Sequence, residues 1–296
     1  MKNILIVVDH PSWAFANHAY GIQRYAQSDT NVSICVEKDL PLHCPGNDGS
    51  VWDAILHCSW TTANTTVRNT CNCTLVAHVG AFFEKGSSGI IPWRSTTNIR
   101  NATTARDMLP RFDKVFCVSE ELLSLSSGFP GNFAHLPMGI DTELYKPIEP
   151  AEFHGDTFLW SGQPSLVKGE DVRDALLDRG VKINSISHSA HTPVKFNPEE
   201  MCRQYCSHGA FLCTSWCEGG PLTVLESLSC NVPVVSSLVG IVPELGDMIS
   251  IGYKSPLDML DVLPQVPQKT RNYRAWIEEN RSWRKLSSVW IEAILS

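Results

Sequence analysis

The chain has 296 residues, 43% of them hydrophobic and 19% charged, so disorder is excluded as its main state and the length suits two domains or one large α/β domain. Its 24 basic and 31 acidic residues leave a net charge of −7, which speaks against a surface devoted to nucleic acid or anionic lipid. No run approaches the ~18 apolar residues of a membrane span. The opening run Ile4-Leu5-Ile6-Val7-Val8 is too short for a signal peptide and leads into Asp9-His10-Pro11 without a small-residue cleavage site. A cytoplasmic protein is therefore expected, with peripheral membrane contact left open. The eleven cysteines are an odd number and fit reduced, mostly buried thiols. Cys71-Asn72-Cys73 is the tightest pair, spaced poorly for zinc and without a second pair behind it. No metal site is expected.

The run over 4–8 reads as a strand buried on both faces. Gly21-Ile22-Gln23-Arg24-Tyr25-Ala26 reads as a helix start, and further short strands are expected at 32–37, 54–58, 73–78 and 114–119. Two of these end in His57 and His78, and Ser119 is placed to cap a helix from Glu120. The proline-punctuated stretch Lys146-Pro147-Ile148-Glu149-Pro150 reads as a linker. A second series follows: strands over 157–160, 181–186, 210–214 and 232–236, with helices over 169–177, from Pro198, and over 221–229. A tryptophan-rich helical segment over 272–295 closes the chain. Alternating strands and helices of this kind predict two Rossmann-like halves whose ligands sit at the carboxyl ends of the strands.

The stretch with most chemistry is Ser215-Trp216-Cys217-Glu218-Gly219-Gly220-Pro221-Leu222-Thr223-Val224-Leu225-Glu226. A strand end, a two-glycine turn and a proline at the start of a helix present backbone N–H groups and the positive end of a helix dipole, which together suit an anion. Glu218 and Glu226 flank that turn, and carboxylates accept hydrogen bonds from hydroxyl pairs. An ordinary strand–turn–helix with a solvated Glu226 would look the same in composition.

The segment resembles the donor-site signature of retaining glycosyltransferases of the GT-B fold, in particular the family-4 group. In that group Glu-Gly-x-Pro precedes a helix with a second Glu after seven intervening residues, a pattern met by Glu218, Gly219, Gly220, Pro221 and Glu226. Asn231-Val232-Pro233-Val234-Val235-Ser236, Val242-Pro243-Glu244-Leu245, Leu136-Pro137-Met138-Gly139-Ile140-Asp141, Phe116-Cys117-Val118-Ser119-Glu120 and Arg281-Ser282-Trp283 resemble further segments of the group in the same order. The resemblance is weakest over residues 10–110.

The resemblance implies two Rossmann-like domains facing a central cleft, with domains over 1–147 and 148–275 and a C-terminal helix over 276–296 packing back on the first. It implies transfer of a sugar, with retention, from a nucleotide-diphosphate sugar (UDP or GDP) to a glycan or small hydroxyl acceptor, without metal or other cofactor; the acidic balance speaks against nucleic acid as a partner. Lys168-Gly169 stands where the group binds the donor diphosphate, but Gln163 occupies the place of its arginine, and a neutral amide is a weaker phosphate partner. Arg173 is a substitute candidate. By the same resemblance Glu218, His78 and Lys168 are the catalytic candidates. Gly219, Gly220, Pro221, Leu222, Glu226, Gln163 and Gly21 are the donor-binding candidates, His18 and His57 being weaker ones. Glu84-Lys85 and Trp93-Arg94 lie where acceptor contacts fall. An epimerase or hydrolase on the same scaffold, and a turnover-deficient sugar-nucleotide-binding subunit, remain as alternatives.

Overall fold

The computed structural model describes residues 1–10, 14–58, 67–76, 105–187 and 196–296. The chain forms two compact units, Met1–Gly139 with Trp283–Ser296, and Ile140–Ser282.

The first unit holds a parallel sheet of β1 (Lys2–Val8), β2 (Thr30–Val36), β3 (Ala54–His57), β4 (Cys71–Val76), β5 (Lys114–Cys117) and β6 (Phe133–His135), in the order β2-β1-β3-β4-β5-β6. Ile4 of β1 is in register with Val32 on one side and Ala54 on the other, and Ile4, Leu5 and Ile6 are fully buried. A strand covered on both faces needs such an unbroken apolar run. Helix α1 (Ala14–Arg24) begins before the expected start at Gly21 and carries that glycine inside it. Helix α2 (Glu120–Leu125) is capped as expected, with the Leu122 N–H donating to Ser119 Oγ at 3.3 Å.

The second unit holds β7 (His154–Gly162), β8 (Ile183–Ser187), β9 (His208–Cys213), β10 (Val234–Ser237) and β11 (Ile251–Tyr253), all parallel, in the order β11-β10-β9-β7-β8. Its helices include α3 (Glu170–Asp178), α4 (Pro198–Cys206), α5 (Leu222–Ser229) and α6 (Tyr273–Asn280). Asn197 and Glu200 close a reciprocal capping box on α4. Phe158, Trp160, Val172, Leu176, Leu212 and Val235 pack together in the core between sheet and helices.

The terminal segment is two helices, and the chain divides differently from the sequence expectation. Helix α6 and residues up to Ser282 belong to the second unit, so the returning part begins at Trp283 rather than 276. Residues 140–147 also belong to the second unit. The Ile140 N–H donates to Arg281 O at 2.8 Å, and the Arg274 guanidinium reaches the carbonyls of Thr142, Tyr145 and Ser229 at 3.0–3.1 Å. Within the stretch Lys146–Pro150, whose prolines suggested a linker, the Ile148 N–H donates to Cys206 Sγ at 3.4 Å and so joins it to the end of α4.

The last helix, α7 (Trp283–Leu295), buries Trp283, Leu286, Trp290, Ile291 and Ile294, which is one helical face, within the first unit. Trp290 Nε1 donates to Pro137 O at 2.9 Å. An added Cβ at Gly21 would lie 2.3 Å from the Trp283 ring, and one at Gly139 would lie 2.7 Å from it, so the indole is wedged between two bare backbones.

Candidate functional site

The site residues of the second unit lie on the loops that leave the carboxyl ends of β7 and β9, neighbours in the sheet. After β7 a short turn over Leu166–Lys168 is capped by Ser165 and ends at Gly169, whose φ of +66° falls in the left-handed region. A Cβ there would sit 1.8 Å from the carbonyl oxygen of Thr214, so only glycine allows this approach. Thr214 Oγ1 lies 2.9 Å from both Lys168 O and Gly169 O, and accepts from Trp160 Nε1 at 3.0 Å. The Trp216 N–H donates to Val167 O at 2.9 Å. These bonds stitch the two loops together and fix where Lys168 starts.

Lys168 Nζ then donates to Glu218 Oε1 at 2.6 Å, and Ser215 Oγ donates to the same oxygen at 2.7 Å. The lysine side chain is 35% exposed and the glutamate 12%. Burial pulls the ammonium pKa down, but the charge and hydrogen bond of Glu218, with nearby cysteines, outweigh it and leave Lys168 above the usual lysine range. A cavity of about 10 Å³ beneath the pair, lined in part by Trp160, Ser161, Thr214 and Thr223, has room for about one water.

Glu218 opens the turn Gly219-Gly220-Pro221 that feeds α5. Pro221 is the N-cap of that helix rather than its first residue, no side chain caps it, and its first turn holds no acidic residue. The helix dipole is therefore not neutralised by a carboxylate of its own first turn. A third loop packs on this turn through Gly240, at φ +57°, where a Cβ would lie 2.7 Å from Gly219 O. Lys168, Glu218, Gly219, Gly220, Pro221 and Leu222 are thus brought to one place. Ser215 and Thr214, which position that group, were not singled out from sequence, although the Ser-x-x-Glu spacing ahead of a glycine turn was a readable signal.

The remaining expected residues have settings of their own. Gln163 is exposed at the end of β7. Arg173 is committed: its guanidinium lies 4.6 Å over the Trp160 ring and pairs with Asp174 at 2.6 Å and Glu170 at 3.4 Å. Glu226 is buried, and its Oε2 accepts from Tyr205 Oη at 2.7 Å. Burial pushes its carboxyl pKa up, partly offset by hydrogen bonds from Tyr205 and Tyr145. Burial and the Glu226 charge in turn raise both phenols, so they stay protonated and donate. Glu226 therefore sits in a tyrosine-lined interior cluster instead of being solvated.

Gly21, expected as a donor-binding residue, lies inside α1, where the space a side chain would take is filled by Trp283, so its bareness serves packing. His18 lies edge-on to Trp283 and Trp290 at 4.5 and 4.7 Å, and burial holds its pKa down at about 3. His57 is a core residue beside Asn72 and Phe112. His78, with Glu84-Lys85 and Trp93-Arg94, lies outside the described residues. The Cys71 and Cys73 thiols are 3.8 Å apart, and among the described residues no group of His, Cys, Asp or Glu is placed to hold a metal ion. Among them, too, no helix is long and apolar enough to cross a membrane.

Two parallel α/β units, with a last helix that returns to the first, make up the GT-B glycosyltransferase fold, and this chain has that fold. It is similar to a sucrose-phosphate synthase from Thermosynechococcus elongatus, with 11% identity, coverage of 99% of this chain and 98% of that one, and a TM-score of 0.69. It is also similar to Anabaena HepE, solved in complex with UDP and glucose, at 13% identity, full coverage of both chains and a TM-score of 0.67. A third similar structure is AviGT4, a glycosyltransferase involved in avilamycin A biosynthesis, at 13% identity, covering 98% of this chain and 96% of that one with a TM-score of 0.61. No family model and no curated protein sequence matches the chain.

Proposed function

We propose that this protein is a retaining, family-4-type glycosyltransferase that moves a sugar from a nucleotide-diphosphate sugar, UDP- or GDP-linked, to a hydroxyl of a glycan or small acceptor. The observation that carries this reading is the Lys168–Glu218 pair at the glycine turn ahead of α5. The fold shared with HepE, which was solved with UDP and glucose, supports it. In this reading Lys168 and the turn at Gly219 and Gly220 hold the donor diphosphate, and Glu218 takes hydroxyls of the transferred sugar. Pro221 and Leu222 shape the approach of α5, and Gln163 contributes a neutral donor in place of a guanidinium. Glu226 accepts the ribose hydroxyls, with Tyr205 and Tyr145 holding its carboxylate. His78, outside the described residues, is assigned to the transferred sugar by the family resemblance alone.

Catalysis is electrostatic. As the bond from the sugar to the diphosphate breaks, negative charge grows on the leaving oxygen, and a fixed ammonium and helix terminus stabilise that charge more than they stabilise the bound donor. The reading calls on no metal and no other cofactor, and it places the protein in the cytoplasm, where its eleven free thiols stay reduced.

A second reading, a sugar-nucleotide-binding subunit without turnover, is favoured by one observation: Gln163 is neutral and Arg173 is already spent on Trp160, Asp174 and Glu170. Incubation with UDP-glucose, GDP-mannose and ADP-glucose, with and without a panel of glycan acceptors, separates the readings. Acceptor-dependent product with the donor's anomeric configuration supports the transferase. Tight donor binding without product supports the subunit, and free sugar or an epimerised donor refutes both.

A further inference from the structure

The phosphate side of the candidate site presents a problem of charge. Lys168 is the ammonium placed at the turn, yet its Nζ is already held by a carboxylate at 2.6 Å. The carboxylate is not loosely placed, because Ser215 Oγ fixes the same Oε1 at 2.7 Å. The nearest alternative cation on α3, Arg173, is engaged by two carboxylates and an indole, and Gln163 carries no charge. A diphosphate that comes to Lys168 therefore has to displace Glu218 or lie beside it, and two anions in a partly desolvated pocket repel strongly.

We propose that Glu218 is a built-in competitor of the diphosphate, and that it selects the sugar-bearing donor against the bare nucleoside diphosphate. The inference rests on the functional reading above and adds to it a specificity role for one side chain. When the ligand carries a sugar, the displaced carboxylate finds new partners in the sugar hydroxyls, and the lost ion pair is offset. When the ligand is a bare diphosphate there are no such hydroxyls, so Glu218 keeps its hold on Lys168 and opposes the ligand. The same arrangement favours release of the nucleoside diphosphate once the sugar has left. Ser215 is a positioning residue in this scheme, since it keeps the carboxylate on the lysine side.

Calorimetric titration of the full chain with inorganic pyrophosphate, UDP, GDP and UDP-glucose tests this. Glu218→Gln is isosteric and removes the competing charge. It should bind pyrophosphate and the nucleoside diphosphate about tenfold tighter than the wild type, equivalent to about 1.4 kcal/mol, while the preference for UDP-glucose over UDP falls. Ser215→Ala should move pyrophosphate affinity in the same direction by a smaller factor. In a Lys168→Met background the gain from Glu218→Gln should be smaller than in the wild-type background, because only the direct repulsion, and not the competition for the ammonium, is then relieved. Unchanged or weaker pyrophosphate binding by Glu218→Gln and Ser215→Ala, with a wild type that binds nucleoside diphosphates, overturns the competitor role and leaves the functional reading standing. A wild type that binds neither pyrophosphate nor any nucleoside diphosphate overturns both.

Discussion

Gly21→Ala is a sharp test of where the last helix packs. The added Cβ would lie 2.3 Å from Trp283 Cδ1 and 2.4 Å from Cγ and Nε1. Favourable carbon contacts lie near 3.5–4.0 Å, so the indole would have to recede by about 1 Å or more. It has little room, because Trp283 is 2% exposed, Gly139 backs its other part, and the His18 ring stands 4.5 Å away. Overpacking of a filled core costs about 1–3 kcal/mol, and a ring held on several sides belongs at the upper end. Alanine regains about 1 kcal/mol of helix propensity over glycine inside α1, leaving a net loss of about 2 kcal/mol. Urea unfolding of Gly21→Ala, Trp283→Leu and the double variant measures it. The cost of Gly21→Ala should shrink in the Trp283→Leu background, and donor affinity of the folded Gly21→Ala protein should stay within twofold of wild type. A Gly21→Ala protein as stable as wild type, or one of normal stability with weakened donor binding, refutes the packing assignment.

His18 and His57, held down by burial at about 3 and about 4 against an ordinary 6.5, predict acid lability. Below pH 6.5 the unfolded chain takes both protons and the native state does not, so stability falls with pH by about 1.4 kcal/mol per unit for each group until the native pKa is reached. Glu226, whose carboxyl is raised in the native state, acts in the opposite sense just above pH 4.5. The slope of unfolding free energy against pH between 6 and 5 should flatten by about 1.4 kcal/mol per unit in His18→Leu; an unchanged slope contradicts the assignment. Gly169→Ala combines a left-handed φ with a 1.8 Å approach to Thr214 O, so it should destabilise the protein by at least about 2 kcal/mol and weaken pyrophosphate binding as Lys168 is displaced. Normal stability and binding in that variant would mean the two loops are not stitched as described.

The parts of this molecule that were legible in its sequence are those set by local chemistry. The apolar run of β1, the Ser119 cap, the glycine after Lys168 and the Glu218 turn each follow from neighbouring residues, and the structure shows them at their places. The parts that were not legible depend on distant partners. Nothing beside Gly21 in the sequence shows that Trp283, far along the chain, packs against its bare backbone. The stretch Lys146–Pro150 reads as a linker until the Ile148 N–H meets Cys206 Sγ, and the preceding residues are held where Arg274 binds the Thr142 and Tyr145 carbonyls. Arg173 stands as a substitute candidate for the missing arginine until the Trp160 face and two acidic neighbours claim it. Strands β6 and β11 have three residues each, too few for alternation or an apolar run to register.

In the proposed function, nucleotide-sugar donors bind at the loops that bring Lys168 to Glu218. Amide hydrogen exchange of the full chain, with and without saturating UDP-glucose or GDP-mannose, tests it most directly. Donor-dependent protection of residues 163–169 and 214–223, lost in Lys168→Met, is expected. Protection confined to other segments, or no protection with any nucleotide sugar, would contradict it.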